Sequence, residues 1–241
     1  MKISNLLSRI FLTRKCIICS EPISYDEKIP FCSDCQTHWK AFLEMKCHRC
    51  GRKSDECTCI PSQIKESSRY GAVWCVFYDG KSKLVANDLV FKLKREYNRD
   101  IISFFASEMI KNLKSLLIRH GINYKECIVT YAPRRRRVEK KYGFDQSKLL
   151  AKEIGRQFSI EVKPTLINKG KRAQKLLTKE ERRKNAQASY FLKKNLDLSG
   201  KTVLLVDDLI TSGATMKAAS ELLYKVGAND VIPVAFAKDN R

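Results

Sequence analysis

Two adjacent carboxylates followed by a short polar turn carry the densest chemistry in this chain. Residues 203–215 read V-L-L-V-D-D-L-I-T-S-G-A-T. The apolar run from Val203 to Val206 suits a strand buried on both faces of a parallel sheet. Asp207 and Asp208 then fall at its C-terminal end, where open parallel sheets bind their ligands. Thr211, Ser212, Gly213, Ala214 and Thr215 form a turn into an apolar-periodic segment, Met216 to Val226, that reads as a helix. The free N–H groups of such a turn and helix start attract phosphate, and Gly213 lets the backbone come close. A ligand with both a diol and a phosphate fits this pattern. The carboxylates would accept hydrogen bonds from hydroxyls, and residues 211–215 would hold the phosphate.

A second constellation is made of cysteines. Eight of the ten lie between Cys16 and Cys59, in close pairs: Cys16/Cys19, Cys32/Cys35, Cys47/Cys50 and Cys57/Cys59. Residues three apart are poorly placed for a disulfide, and thiol pairs of this spacing suit tetrahedral Zn²⁺. Two zinc ions are expected, one on Cys16, Cys19, Cys32 and Cys35, the other on Cys47, Cys50, Cys57 and Cys59. Short loops favour joining neighbouring pairs, and a cross-braced pairing of the first with the third is the alternative. Gly51 suits the tight turn of a zinc knuckle, and His48 reads as a knuckle residue rather than a ligand. Cys75 and Cys127 sit in apolar runs and read as small buried hydrophobes. The three histidines form no catalytic arrangement.

The elements that must position these groups alternate in type. Gly71 to Tyr78 is β-branched and aromatic, a strand pattern. Lys81 to Lys94 and Ile101 to Ile118 have helical spacing, the second stopping near Gly121. Cys127 to Tyr131 reads as a strand ending at Ala132-Pro133. Gln146 to Phe158 reads as a helix with Asp145 as its N-cap. Residues 168–190 are polar and too long for a simple connection. Val231 to Ala237 is the last strand. Strands alternating with helices predict a parallel α/β sheet with flanking helices. Residues 1–66 form a Cys-rich zinc-binding module, whose residues 1–60 are too poor in apolar residues to bury a core, so metal must supply the folding energy. Pro61 to Ser68 is a polar connector, and residues 67–241 make the larger domain. Met1 to Leu12 reads as a short helix packing on the domain, with contact to a membrane surface as a lesser alternative.

The chain has 241 residues and a formal charge of +21, which favours polyanionic partners. No apolar run reaches the length of a transmembrane segment, and the N-terminus lacks the pattern of a secretory signal. A cytoplasmic location follows, consistent with reduced thiols.

The string at 203–215 resembles the phosphoribosyltransferase signature. Two further stretches narrow the likeness: Gly143-Phe144-Asp145-Gln146 with Leu149, Leu150 and Ala151, and the spacing Gln174, Leu177, Arg182, Asn185, Tyr190. With the cysteine pairs, they resemble the ComF family of competence-associated, phosphoribosyltransferase-like proteins, over nearly the whole chain. The resemblance implies a type I phosphoribosyltransferase-like fold for residues 67–241. It implies that Asp207 and Asp208 bind the ribose hydroxyls of phosphoribosyl pyrophosphate, that residues 211–215 bind its 5′-phosphate, and that Mg²⁺ bridges the pyrophosphate. It makes Pro133 to Arg137 the pyrophosphate loop, with Arg134, Arg135, Arg136 and Arg137 as contacts, since the arginine fork pairs two phosphate oxygens. Residues 168–190 fall where the superfamily carries a mobile hood, here rich in cations including Lys169, Lys171, Arg172, Arg182 and Arg183. Phe91-Lys92 matches a family Phe-Lys step. Two departures stand out: Tyr142 where the family has Arg, and Asp145 where it has Asn.

Three functions compete. The first is a competence and DNA-uptake accessory protein, acting in transformation. It would bind phosphoribosyl pyrophosphate and single-stranded DNA, with a helicase-like competence partner implied by the family. Trp39, Phe42 and Tyr190 are the aromatics available to stack bases. The second is an active phosphoribosyltransferase of the amidophosphoribosyltransferase kind in nucleotide metabolism. It would need an acceptor pocket that no stretch supplies, and no catalytic residue can be named. The third is a scaffold in which zinc and charge serve protein contacts only.

Overall fold

A computed structural model of the chain describes residues 14–24, 27, 29–79, 85–170 and 186–240. The expected helix at 1–12 and most of the expected hood, including Lys171, Arg172, Arg182 and Arg183, lie outside these residues. The strands are β1 Arg14–Lys15, β2 Pro22–Ile23, β3 Val76–Tyr78, β4 Cys127–Tyr131, β5 Leu166–Asn168, β6 Tyr190–Leu192, β7 Thr202–Ile210 and β8 Asp230–Asp239. The helices are α1 Ser33–Leu43, α2 Ser62–Lys65, α3 Val85–Arg95, α4 Arg99–Arg119, α5 Arg136–Tyr142, α6 Gln146–Phe158 and α7 Ala214–Tyr224.

The central sheet has the order β3-β8-β7-β4, and every pair in it is parallel. Such a sheet must be covered on both faces. Side-chain alternation along β7 does this: Leu204 and Val206 enter one core, Val203 and Leu205 the other. The first core lies under α3, α4 and α6. The second lies under α7 and α2, with Ile64, Met216, Ala219 and Leu223. These are the expected parallel sheet and flanking helices.

The sheet also has a switch point. The chain leaves β4 through α6 and returns beside β4's outer edge, where Val129 bridges Val162 in parallel. It leaves β7 through α7 and returns as β8, on β7's other side. The direction of winding thus reverses between β4 and β7, the point at which open parallel sheets form a crevice beyond the strand ends.

Residues 14–43 have no separate core. Phe31, Trp39 and Phe42 are buried with Phe104, Phe105 and Phe236. Trp39 meets Phe104 edge-on at 5.2 Å and stacks on Phe236 at 6.2 Å. Trp39 and Phe42 therefore offer no face for stacking bases. Their apolar area goes into the shared core because the short cysteine-rich segment has no other place to bury it. The connector expected at 61–68 instead forms α2, which packs on α7. Its Ile64 is fully buried, Glu66 pairs with Lys217, and the Tyr224 hydroxyl donates to Ser67 O at 3.1 Å.

Candidate functional site

The crevice between β4 and β7 gathers the sequence-predicted carboxylates, the polar turn and the first of the four arginines. Asp208 is buried and Asp207 is half-buried. Asp207 Oδ1 accepts from Ser147 Oγ and from the Asp208 N–H, both at 2.9 Å. Asp208 Oδ2 accepts from Gln146 Nε2 at 3.3 Å and pairs with Lys94 Nζ at 3.2 Å. The start of α6 therefore holds both acids, and Lys94 near the end of α3 supplies a cation. Burial first, and then the Asp208 charge, push the Asp207 carboxyl up to about 8. Two such groups side by side resist double ionisation, so the pair favours hydroxyl donors or a cation.

Asp145 explains its own departure from the family pattern. One oxygen caps α6 at Lys148 N, 3.2 Å away, and the other accepts from Arg134 N at 2.7 Å. An amide would offer a single acceptor oxygen, whereas the carboxylate gives each of the two half-buried N–H groups its own. Tyr142, the other departure, lies under the Arg134 guanidinium, 5.3 Å from the ring centre. Arg134 also faces the Phe144 ring at 5.5 Å and donates from Nη2 to Lys94 O at 2.6 Å. Arg134 thus stands at the crevice with a donor committed to the backbone. Arg136 and Arg137 are exposed in the first turn of α5, where a continuous loop was expected. A run of four arginines gives no helix-start signal, so α5 was not visible in the sequence.

The polar turn ends in Gly213, with φ +82°, at the start of α7. A Cβ at Gly213 would lie 2.9 Å from Ile64 Cγ1 and 3.3 Å from Pro61 Cβ. The turn is therefore seated on α2 as well as freed by glycine. On its other side lies Tyr190, whose hydroxyl meets the Thr215 and Asn168 side chains. Tyr190 is buried against Ala132, Ala186, Ala214 and Ala218. It ties the β5–β6 hairpin to the turn and offers no face for a base, contrary to the sequence expectation. Asn168 donates to Pro133 O at 3.0 Å, so the hairpin joins the loops after β4 and β7. The sequence had no signal for this pairing, because residues 168 and 190 are joined across a long polar segment.

The eight cysteines converge in two groups. Cys16, Cys19, Cys32 and Cys35 form one, and Cys47, Cys50, Cys57 and Cys59 the other, each with its four Sγ atoms within 4.8 Å of one another. Neighbouring pairs are joined, and the cross-braced alternative falls away. Zn–S bonds near 2.3 Å in a tetrahedron require S···S edges of about 3.8 Å. Cys19 and Cys32 approach to 3.6 Å, and Cys50 and Cys57 to 3.7 Å. All eight thiols are free. Burial pushes the Cys16 thiol up, but N–H groups of Cys19, Cys32 and Ile18 outweigh it and bring Cys16 down to about 7. Cys47 is likewise drawn down against burial, by N–H groups of Arg49 and Cys50, to about 6. Each group thus has one thiol poised as a thiolate, and both donor sets fit zinc. Cys75 and Cys127 are buried as expected.

The second group docks on the sheet. Cys47 and Cys57 pack with Trp74 and Phe77. His48 N donates to Asn240 Oδ1 at 3.1 Å, and Asn240 Nδ2 donates to Lys46 O at 3.1 Å. Lys238 is buried beside it, with Nζ 5.2 Å from the Trp74 ring centre, and its charge reaches Cys57. Among the described residues no helix is long and apolar enough to cross a membrane.

The phosphoribosyl transferase domain family matches residues 144–241. Over 201 residues the chain is 24% identical to "Competence protein ComFC" of Streptococcus pneumoniae, covering 83% of this chain and 84% of that protein. It is 24% identical to the protein of the same name in Bacillus subtilis over 215 residues, 84% of this chain and 80% of the relative. A shorter match, 51% identical over 41 residues, is to a ribose-phosphate pyrophosphokinase of Pyrococcus furiosus. It spans 17% of this chain and 15% of the length of that enzyme.

Proposed function

The chain is a ComF-family, phosphoribosyltransferase-like protein, and on that premise we propose that it binds phosphoribosyl pyrophosphate with Mg²⁺ in the β4–β7 crevice and handles single-stranded DNA in competence. The observation that carries this reading is the Asp207–Asp208 pair standing beside the turn 211–215 at the switch point of the sheet. Asp207 and Asp208 would take the ribose hydroxyls, and residues 211–215 the 5′-phosphate. Arg134 to Arg137 would face the pyrophosphate. Mg²⁺, when bound, would neutralise pyrophosphate charge and ease double ionisation of the acid pair. The formal charge of +21 supports a polyanionic partner, and the names of the relatives support a role in competence. A cytoplasmic location and a helicase-like partner belong to the same proposal.

The experiment is calorimetry with phosphoribosyl pyrophosphate and Mg²⁺, repeated with single-stranded DNA present. Wild type should bind the ligand, and Asp207→Asn with Asp208→Asn should not. Neutral amides lose charge-assisted hydrogen bonds, each worth on the order of 1.5–3 kcal/mol. Unchanged binding by the double variant, with its circular dichroism intact, sinks the site. A coupling between the two ligands must be reciprocal. The short pyrophosphokinase match favours a second reading, turnover in nucleotide metabolism with no DNA role. Consumption of phosphoribosyl pyrophosphate with an added amine donor, and no DNA binding, would establish it.

A further inference from the structure

With Trp39, Phe42 and Tyr190 buried, the aromatics that face solvent lie elsewhere. Phe91 on α3 is 50% exposed and Tyr97, just past the helix, is 65% exposed. The Arg95 guanidinium lies 3.9 Å from the Phe91 ring centre, one helical turn along. Tyr97 meets Phe144 edge-on at 6.2 Å, and Arg134 stands between Phe144 and Tyr142. Rings and guanidinium groups thus gather between the end of α3 and the start of α6. The strip is joined to the crevice: Arg134 donates to Lys94 O, and Lys94 Nζ holds Asp208. Residues 91–97 and 134–142 together carry nine cations against two carboxylates. Exposed rings set among cations suit a partner that is both planar and anionic.

We propose that this strip is the platform on which unpaired bases of single-stranded nucleic acid stack, with the strand's phosphates running along the flanking cations into the crevice. The inference rests on the single-strand reading above and assigns it a surface. Bases offer π-faces to Phe91 and Tyr97, whatever their identity, while Arg95 serves both ring and phosphate. A duplex keeps its bases stacked inside and cannot use the rings, so the strip selects for single strands.

The test uses the full chain and two oligonucleotides of equal charge, a 30-mer of thymidine and an abasic 30-mer, followed by fluorescence anisotropy across a salt series. Wild type should prefer the thymidine strand. Phe91→Ala with Tyr97→Ala should weaken its binding on the order of ten-fold or more, abolish the preference, and leave the salt slope unchanged, because no cation is lost. The ring-preserving pair Phe91→Tyr with Tyr97→Phe should keep both affinity and preference. Tyr124→Ala, at an exposed ring stacked on Phe158 away from the strip, should do the same. Unaltered phosphoribosyl pyrophosphate binding by the alanine pair would verify its fold. If that pair keeps the preference, or wild type never shows one, the strip is overturned and the single-strand reading stands on charge alone. If wild type binds neither oligonucleotide, both fall together.

Discussion

The two cysteine groups have the same ligands and nearly the same sulfur spacing, yet they are built into different places. The first is tied to the helical layer. Lys92 Nζ donates to Ile17 O at 3.1 Å and Ile18 O at 2.6 Å, Arg14 pairs with Asp100, and Phe31 and Trp39 enter the main core. The second takes no ligand from a helix. It rests on the ends of β3 and β8, and the chain leaving Cys59 runs directly into the segment that seats Gly213. Identical donor sets therefore serve two ends. The first group fastens the core, and the second braces the turn proposed to hold phosphate.

The strongest test of this contrast is Cys16→Ser. Zinc content should fall from two to one per chain. Stability should drop by on the order of 3–5 kcal/mol, part of the roughly 10–16 kcal/mol that structural zinc gives zinc-finger peptides. Urea unfolding followed by tryptophan fluorescence reads this directly, because Trp39 sits in the affected core. An unchanged midpoint would erase the assigned role of the first group. Ile64→Ala comes next. Truncating this fully buried side chain should cost about 3 kcal/mol. It should also weaken phosphoribosyl pyrophosphate binding while both zinc ions stay bound. Wild-type affinity in that variant would mean that α2 does not brace the turn.

A smaller effect is expected at Asp207, which touches neither cysteine group. Its carboxyl rises from 3.8 to about 8 on folding, so between those values the folded protein keeps a proton that the unfolded chain has released. The stability of the protonated form is complete below pH 3.8 and is lost as pH climbs toward 8. Asp207→Asn should therefore stabilise the protein by at least about 1 kcal/mol at pH 8 and leave it unchanged near pH 3.5. Equal effects at both pH values would show that proton linkage is not the cause. The smallest effect should come from Lys238→Met. A four-thiolate zinc site carries excess negative charge, and Lys238 is the buried cation beside it. Zinc release from the second group should quicken several-fold. Release from the first should not change, and stability should move by less than about 1 kcal/mol. Equal acceleration at both groups would remove the distinction.

Much of this was legible in the sequence because it is local. Helix α6 runs over Gln146–Phe158 with Asp145 as its cap, as its periodicity and capping residue predict. Strand β4 and the acid pair on β7 follow equally from short patterns. What escaped depends on distant partners. Helix α5 hides in a run of arginines, and α2 hides in a polar connector whose one large apolar residue, Ile64, packs at Gly213, about 150 residues on. The stacking role expected of Trp39, Phe42 and Tyr190 failed for a related reason. Aromatic residues in polar stretches read as exposed until the rest of the chain arrives to cover them.

Strand β8 follows every other described strand, yet it lies inside the sheet, between β3 and β7. It also carries Phe236, on which Trp39 stacks, and it leads to Asn240, which holds the second cysteine group. On the ribosome the thiols emerge before their landing site. At about 5–20 residues per second, the interval between Cys59 and Asn240 lasts roughly 10–40 s. Early capture of metal would keep eight nascent thiols from oxidising while they wait, and only the arrival of β8 would turn two loaded loops into one folded body.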